Sequence, residues 1–76
     1  MEKDLVEYIA TNLVNDPDQV EINVKETGSS VILEMHVAKS DMGRVIGKNG
    51  RVANAIRSLL NVVGNKKNKR VILEID

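Results

Sequence analysis

The sequence has no cysteine, no tryptophan and no phenylalanine, and Tyr8 is its only tyrosine. Without cysteine the chain cannot form a disulfide framework or a thiolate metal site, and such a composition is typical of the reducing cytosol. A binding site that lacks aromatic side chains cannot hold the flat rings of a ligand by stacking. No apolar run is long enough for a signal peptide or a membrane span, so we expect a cytoplasmic protein with no membrane partner.

Residues typical of catalytic centres are also scarce. The sequence contains one histidine, His36, and no recognisable pairing of a nucleophile with a base. A lone histidine on the polar side of a predicted strand supports neither a metal site nor acid–base catalysis. Gly47 and Lys48 lack the upstream glycine and the Ser or Thr of a nucleotide-binding P-loop. The sequence therefore predicts a protein that is not an enzyme and that needs no metal or other cofactor.

The chain carries eleven basic and eleven acidic side chains, but the two signs are segregated along it. Residues 1–37 hold two basic residues against eight acidic ones, whereas residues 38–76 hold nine basic residues against three acidic ones. A polyanion would therefore be attracted to the second half and repelled by the first. The alternative is a chance segregation of solvated charges that has no bearing on a ligand.

Hydrophobic residues make up 42% of the chain, so we expect one core and a single domain over residues 1–76. Apolar residues recur with helical spacing in some segments and alternate strictly in others. The predicted elements are a helix at 3–14, strands at 20–26 and 31–37, a short helix at 40–46, a longer helix at 51–63 and a strand at 71–75. Because the last strand follows a helical crossover, it should lie parallel to the second. The sequence predicts an α+β fold, a mixed three-stranded sheet with three helices packed on one face.

The longer helix carries an apolar stripe that should face the core, and Gly64 is expected to cap its C-terminal end. The stripe consists of Val52, Ile56, Leu59, Leu60 and Val63. The outer face of the sheet is expected to be polar, with two isoleucines as neighbouring exceptions. A possible apolar contact surface on the outside of the molecule comprises Ile32 and Ile72 of the sheet and Ala53, Leu60 and Val62 of the helix.

The loop between the last two helices combines glycine with positive charge. Gly47 ends one helix and Gly50 stands at the entrance of the next, a spacing that allows a sharp turn and a close approach of a ligand. The second helix presents unpaired N–H groups and the positive end of its dipole to this loop. Lys48 and Arg51 add full charges, and Arg44 is close in sequence. A phosphate oxygen would find donors and charge here; the alternative is a plain helix–helix turn with solvated basic residues.

This loop and its flanks resemble the signature of the KH family, V-I-G-[basic]-x-G-[basic], at every position: Val45, Ile46, Gly47, Lys48, Asn49, Gly50 and Arg51. The predicted order α-β-β-α-α-β is that of the type II, prokaryotic KH arrangement. The length of the chain and the motif Asp16-Pro17-Asp18 after the first helix look like the small bacterial KhpA family. Ser40 stands where that family often has proline.

The resemblance implies a cytoplasmic protein that binds single-stranded RNA, such as an RNA chaperone or a post-transcriptional regulator. In KH domains this loop clamps the backbone of about four nucleotides. The resemblance places the sugar–phosphate backbone at Gly47, Lys48, Asn49 and Gly50, phosphates at Arg44 and Arg51, and bases over Val45 and Ile46. One of the last two could instead be buried in the core. Without aromatic platforms, the affinity of a single site should be weak and salt-dependent.

Two questions stay open at this point. The basic run at residues 66–70 follows a helix about 20 Å long, so it cannot grip the same phosphate as the loop. It could extend the path of the RNA, or it could complement the C-terminal dipole of the helix. The rival function is a protein-interaction module that dimerises through the apolar contact surface. The resemblance implies a second copy or a larger KH protein of the KhpB type as its partner.

Overall fold

The computed structural model describes residues 2–76; Met1, the first residue of the predicted domain, lies outside them. Three α-helices and three strands follow in the order α-β-β-α-α-β: α1 Glu2–Leu13, β1 Glu21–Thr27, β2 Ser30–His36, α2 Met42–Ile46, α3 Arg51–Lys66 and β3 Arg70–Ile75. Short 3₁₀ turns precede β1, α2 and α3 at Pro17–Gln19, Lys39–Asp41 and Lys48–Gly50. None of the helices within residues 2–76 is long and apolar enough to cross a membrane. The predicted α+β fold is confirmed.

The strands form one mixed sheet in the order β1-β2-β3. β1 and β2 are antiparallel, with Val24 opposite Leu33, and β2 and β3 are parallel, with Leu33 beside Leu73. Odd-numbered residues of β2 point toward the helices and are buried, whereas even-numbered ones lie on the outer face. On that outer face Ile32 lies directly beside Ile72, as predicted, and both are half-buried.

One hydrophobic core lies between the sheet and the helices. Leu33 of β2 and Leu60 of α3 are completely buried, and Leu73 of β3 is 4% exposed. The remaining members of the core are Val6, Ala10, Ile22, Val31, Met35, Val45, Ile56 and Val71. Full burial of one such leucine or valine stabilises the fold by about 2 kcal/mol. Because α2 and α3 both contribute to this core, the loop that joins them has a fixed position against the sheet.

The C-terminal end of α3 differs from its prediction. The helix continues to Lys66, and Gly64 lies inside it rather than capping it. A Cβ on Gly64 would come within 2.5 Å of the carbonyl oxygen of Lys69, and the Lys69 N–H donates to the carbonyl of Gly64 at 2.8 Å. The glycine therefore lets the chain fold back closely over the last turn of α3 before β3 begins.

The apolar surface of α3 also differs from its prediction. Leu59, expected in the core, is 51% exposed, because the helix turns Leu60 rather than Leu59 toward the sheet. Ala53, expected on the outside, is 3% exposed, and Leu60, which was expected both in the core stripe and on the contact surface, is 0% exposed and belongs to the core. Of the helical residues assigned to the contact surface, only Val62 is exposed, at 56%. The outward apolar residues of this part of α3 are therefore Leu59 and Val62.

The basic run after α3 is joined to the acidic first half of the chain by two ion pairs. Lys67 Nζ lies 2.9 Å from Glu2 Oε1, and Lys69 Nζ lies 3.3 Å from Glu26 Oε1. The hydrogen bond from Lys67 lowers the pKa of the buried Glu2 carboxyl below its usual value, and a backbone hydrogen bond acts in the same direction. Two cations of the run are therefore engaged within the protein, which favours a structural role for this segment.

Replacing Glu2 by Gln should lower the free energy of unfolding by about 1 kcal/mol at neutral pH. Because the pKa of Glu2 is lowered in the folded state, its contribution is complete above the usual carboxyl value of 4.5 and is lost as the pH falls through the folded-state value. The difference between the wild type and the Glu2→Gln variant should therefore shrink at about pH 3. Urea denaturation at both pH values measures it, and an unchanged difference would contradict the ion pair.

Candidate nucleic-acid interface

The glycine loop, residues 47–50, turns the chain from α2 into α3 through three residues with positive φ. These angles are 78° at Gly47, 57° at Asn49 and 76° at Gly50. The Gly47 N–H donates to the carbonyl of Gly43 at 2.9 Å and closes α2, and the Gly50 N–H donates to the carbonyl of Gly47 at 3.2 Å. Glycine adopts positive φ freely, and asparagine does so more readily than most other residues. The order Gly-Lys-Asn-Gly thus matches the backbone that the turn requires.

The two glycines of this loop serve different purposes. A Cβ on Gly47 would lie 2.5 Å from Cγ2 of Val52 and 2.8 Å from the backbone nitrogen of Val52. A Cβ on Gly50 would meet no neighbouring atom closer than Nδ2 of Asn54, at 3.8 Å. Gly47 therefore allows α3 to pack against the loop, whereas Gly50 leaves an open surface at the entrance of α3 that a ligand backbone can approach.

Positive charge gathers around this open surface. Lys48, Asn49 and Arg51 are exposed, and neither Lys48 nor Arg51 forms an ion pair with any side chain in residues 2–76. Gly50 precedes this 16-residue helix without a side-chain capping bond. The Arg51 N–H donates to the carbonyl of Lys48, whereas no side chain of residues 2–76 caps the N–H groups that follow it in the first turn. Two uncompensated cations beside the positive end of a helix dipole form an arrangement that favours an anion.

The apolar pair before the loop is divided between core and surface. Val45 is completely buried, whereas Ile46 is 36% exposed. Successive residues of a helix point in directions about 100° apart, so one of the pair can face the core while the other faces outward. Of the two alternatives for this pair, burial of one member in the core applies to Val45. Val45 anchors α2 in the core, and Ile46 supplies the apolar surface next to Gly47.

Arg44 is oriented by a buried carboxylate. Asp41 is 1% exposed, and its two oxygens accept the backbone N–H groups of Asn15 and Asp16, each at 3.1 Å. Arg44 Nε lies 3.5 Å from Oδ1 of Asp41, and the arginine side chain remains half-exposed. Asp41 thus ties the segment after α1 to the start of α2. Because an arginine has five N–H donors, Arg44 keeps donors for a phosphate while it contacts Asp41.

Two polar residues near the loop were not found by sequence analysis. Arg57 donates from Nη1 to Oδ1 of Asn54 at 3.4 Å and from Nη2 to the carbonyl oxygen of Leu73 in β3 at 3.3 Å. Together with Gly50, these two residues form a polar row that leads from the loop along α3 toward β3. They follow Gly50 at intervals of four and three residues, which places them on one helix face. This helical spacing after Gly50 is the sequence pattern from which Asn54 and Arg57 could have been identified.

Comparison with known proteins places the chain in a family. The family model described as KhpA/KhpB, KH domain, matches residues 3–75. The RNA-binding protein KhpA of Clostridium acetobutylicum is 49% identical over 73 residues, which are 96% of this chain and 97% of that protein. The protein of the same name from Caldanaerobacter subterraneus subsp. tengcongensis is 51% identical over 72 residues, which are 95% of this chain and 96% of that protein.

A solved structure supports the fold. It is a crystal structure of Era in complex with MgGDPNP and nucleotides 1506–1542 of 16S ribosomal RNA, and the two folds superpose with a TM-score of 0.59 at 20% sequence identity. The superposition covers 97% of this chain and 28% of that chain, so the likeness extends to the fold alone. The family match agrees with the prediction of a non-enzymatic protein. The chain belongs to the KhpA/KhpB family of KH domains.

Proposed function

We propose that this protein binds single-stranded RNA by gripping its sugar–phosphate backbone with the glycine loop. The observation that carries the proposal is the pair of exposed cations, Lys48 and Arg51, at a glycine turn before α3, neither of which forms an ion pair within residues 2–76. A phosphodiester is an anion that suits these donors, and the open surface at Gly50 admits a bulky sugar–phosphate chain. The curated relatives of about half identity are themselves named RNA-binding proteins.

The site residues take different parts in this binding mode. The loop residues hold the backbone, with Lys48 and Asn49 as side-chain donors and the two glycines as the surface against which it lies. Arg51 and Arg44 neutralise phosphates on either side of the loop. Ile46 offers an apolar patch to a base, and a base can reach such a patch only when it is not paired in a duplex. This apolar contact is the reason to expect a preference for single strands.

Weak and reversible binding follows from these contacts. No aromatic side chain lies among the site residues, so the stacking that gives about 1–3 kcal/mol per base in other single-strand binders is missing. Most of the affinity then comes from phosphate neutralisation, which is lost as salt rises. A grip of this kind suits an RNA chaperone or a post-transcriptional regulator in the cytoplasm, since such proteins must release the RNA readily.

Fluorescence anisotropy with a labelled RNA of about twelve nucleotides tests the proposal. We expect the single strand to bind about tenfold tighter than the matching duplex at low salt. Because about three or four phosphates would be neutralised, the logarithm of the binding constant should fall with the logarithm of salt concentration with a slope of about −2 to −3. Absence of binding at low salt, or equal binding of the duplex, would contradict the proposed mode.

Pairing with another KH protein is a second candidate function. Leu59 and Val62 lie three residues apart on α3 and are 51% and 56% exposed, which leaves an apolar strip on the outside of the helix. A second copy, or a larger KH protein of the KhpB type, could cover it. Two copies would place two weak sites on one RNA and raise the avidity. Sedimentation of the protein without RNA, over the concentrations used for anisotropy, tests self-pairing. A monomer at every concentration would contradict it.

A further inference from the structure

The glycine loop contains an asparagine whose own neighbour can react with it. Asn49 is the only one of the eight asparagines in the sequence that is followed by glycine. The side-chain carbonyl carbon of an asparagine can be attacked by the backbone nitrogen of the next residue, which closes a succinimide ring. Glycine favours this attack because it has no Cβ to hinder the approach and because its backbone is permissive. The pair Asn49-Gly50 therefore combines the two residue types that this reaction needs.

A second asparagine of the chain shows what distinguishes Asn49. Asn49 and Asn68 are both exposed and have nearly the same φ, 57° and 56°. The Gly50 N–H donates to a loop carbonyl at 3.2 Å, at the long end of the usual range, whereas the Lys69 N–H donates to a carbonyl of α3 at 2.8 Å. Lys69 also carries a side chain beside its nitrogen. The nitrogen next to Asn49 is therefore held more loosely and is easier to approach than the nitrogen next to Asn68.

The folded loop keeps the two reacting atoms of this pair apart. At the Asn49 ψ of 27°, the Gly50 nitrogen is turned away from the Asn49 side chain, so the ring can close only after rotation about the Cα–C bond of Asn49. Space on the outside of the loop permits this rotation, since Asn49 is exposed and a Cβ on Gly50 would meet no neighbouring atom closer than 3.8 Å. A ligand that holds the loop in its folded conformation should therefore slow the reaction.

We propose that Asn49 is a site of spontaneous deamidation and that this modification weakens the grip of the loop on RNA, an effect that rests on the proposed function. The Gly50 nitrogen forms a bond to Cγ of Asn49 and loses its proton, while the Cγ–Nδ2 bond breaks and ammonia leaves. Water then opens the ring to aspartate or isoaspartate, and no other reactant is consumed. Either product exchanges the N–H donors of the amide for a negative charge. One such charge next to a phosphate should weaken RNA binding about fivefold.

Storage of the full chain in neutral buffer, below its unfolding temperature, tests the site. Digestion at arginine then separates Asn49, in the fragment 45–51, from Asn68, in the fragment 58–70, and mass spectrometry measures the conversion of each. Asn49 should be converted while Asn68, the internal control, keeps its amide. With a single-stranded RNA at about ten times its dissociation constant, only about one-tenth of the loops are free, so the conversion should slow about tenfold. Anisotropy compares the RNA affinity of stored and fresh protein.

The possible outcomes separate this inference from the proposed function. If Asn49 kept its amide as long as Asn68, the modification site would be overturned and the proposed function would stand. Conversion at the same rate with and without RNA, or an unchanged RNA affinity of the converted protein, would overturn the loop as the place where RNA is held. The Asn49→Gln variant cannot close the same ring, so after storage it should retain the affinity that it had when fresh. A loss of affinity in this variant would overturn deamidation of Asn49 as the cause.

Discussion

Replacing Gly47 by alanine should lower the free energy of unfolding by about 2–5 kcal/mol and abolish RNA binding. The backbone at Gly47, with φ 78° and ψ 173°, lies in a region that is essentially restricted to glycine. The added Cβ would also approach Cγ2 of Val52 to 2.5 Å and its backbone nitrogen to 2.8 Å. A side chain can rotate away, but the backbone nitrogen can move only if the first turn of α3 moves. Urea denaturation followed by circular dichroism measures the loss of stability.

Gly50→Ala is the matched control for this prediction. Gly50 also has positive φ, at 76°, but its ψ of 13° belongs to the left-handed helical region that other residues visit. The nearest atom to an added Cβ is 3.8 Å away, so only the conformational cost of about 1–2 kcal/mol remains. Equal destabilisation by the two substitutions would show that the contact with Val52 does not matter for the stability of the loop.

The fold could be predicted because the patterns that indicate its helices and strands each lie within a short segment of the sequence. The alternation along β2 and the spacing along α3 specify elements whose apolar faces fit together in few ways. The end of α3 could not be predicted, because Gly64 serves a contact with Lys69 that arises only when the chain folds back. The exposure of Leu59 could not be predicted either, since Leu59 and Leu60 both fit one broad apolar stripe and the crossing of α3 over the sheet decides which of them is buried.

The candidate site was predicted in part. Its loop residues stand together in the sequence, so the turn and its charges could be recognised directly. The hydrogen bonds of Asp41 with Asn15 and Asp16 join residues about 25 positions apart, and no local pattern of the sequence predicts them. Arg57 has a local signal in its spacing from Gly50 and Asn54, but its hydrogen bond to the carbonyl of Leu73, 16 residues later, could not be predicted from that spacing. Sequence patterns indicate which residues share a face, and tertiary contacts decide what that face meets.

Replacing Lys48 and Asn49 together by aspartate should weaken the binding of single-stranded RNA about 100-fold at low salt. The loop would lose one positive charge and gain two negative ones, and each of these three changes costs about 1 kcal/mol at about 4 Å from a phosphate in water. The fold should persist for two reasons. Asn49 has φ 57°, a conformation that aspartate also tolerates, and negative charge at the start of α3 favours the helix dipole. Anisotropy measures binding, and circular dichroism measures the fold.

The chain supplies a closely matched control at the other end of α3. Lys66 and Asn68 are both exposed, and Asn68 has φ 56°, nearly the same conformation as Asn49. Replacing this pair by aspartate changes the net charge of the protein by the same amount. α3 is 16 residues and about 24 Å long and separates Lys66 and Asn68 from the glycine loop. Because the screening length is about 10 Å at about 0.1 M salt, both variants are compared at that concentration, where a phosphate in the loop lies more than one screening length away. The control should therefore lose less than about threefold in affinity. An equal loss in both variants would mean that RNA is attracted by the basic half as a whole, and that the glycine loop is not where it is held.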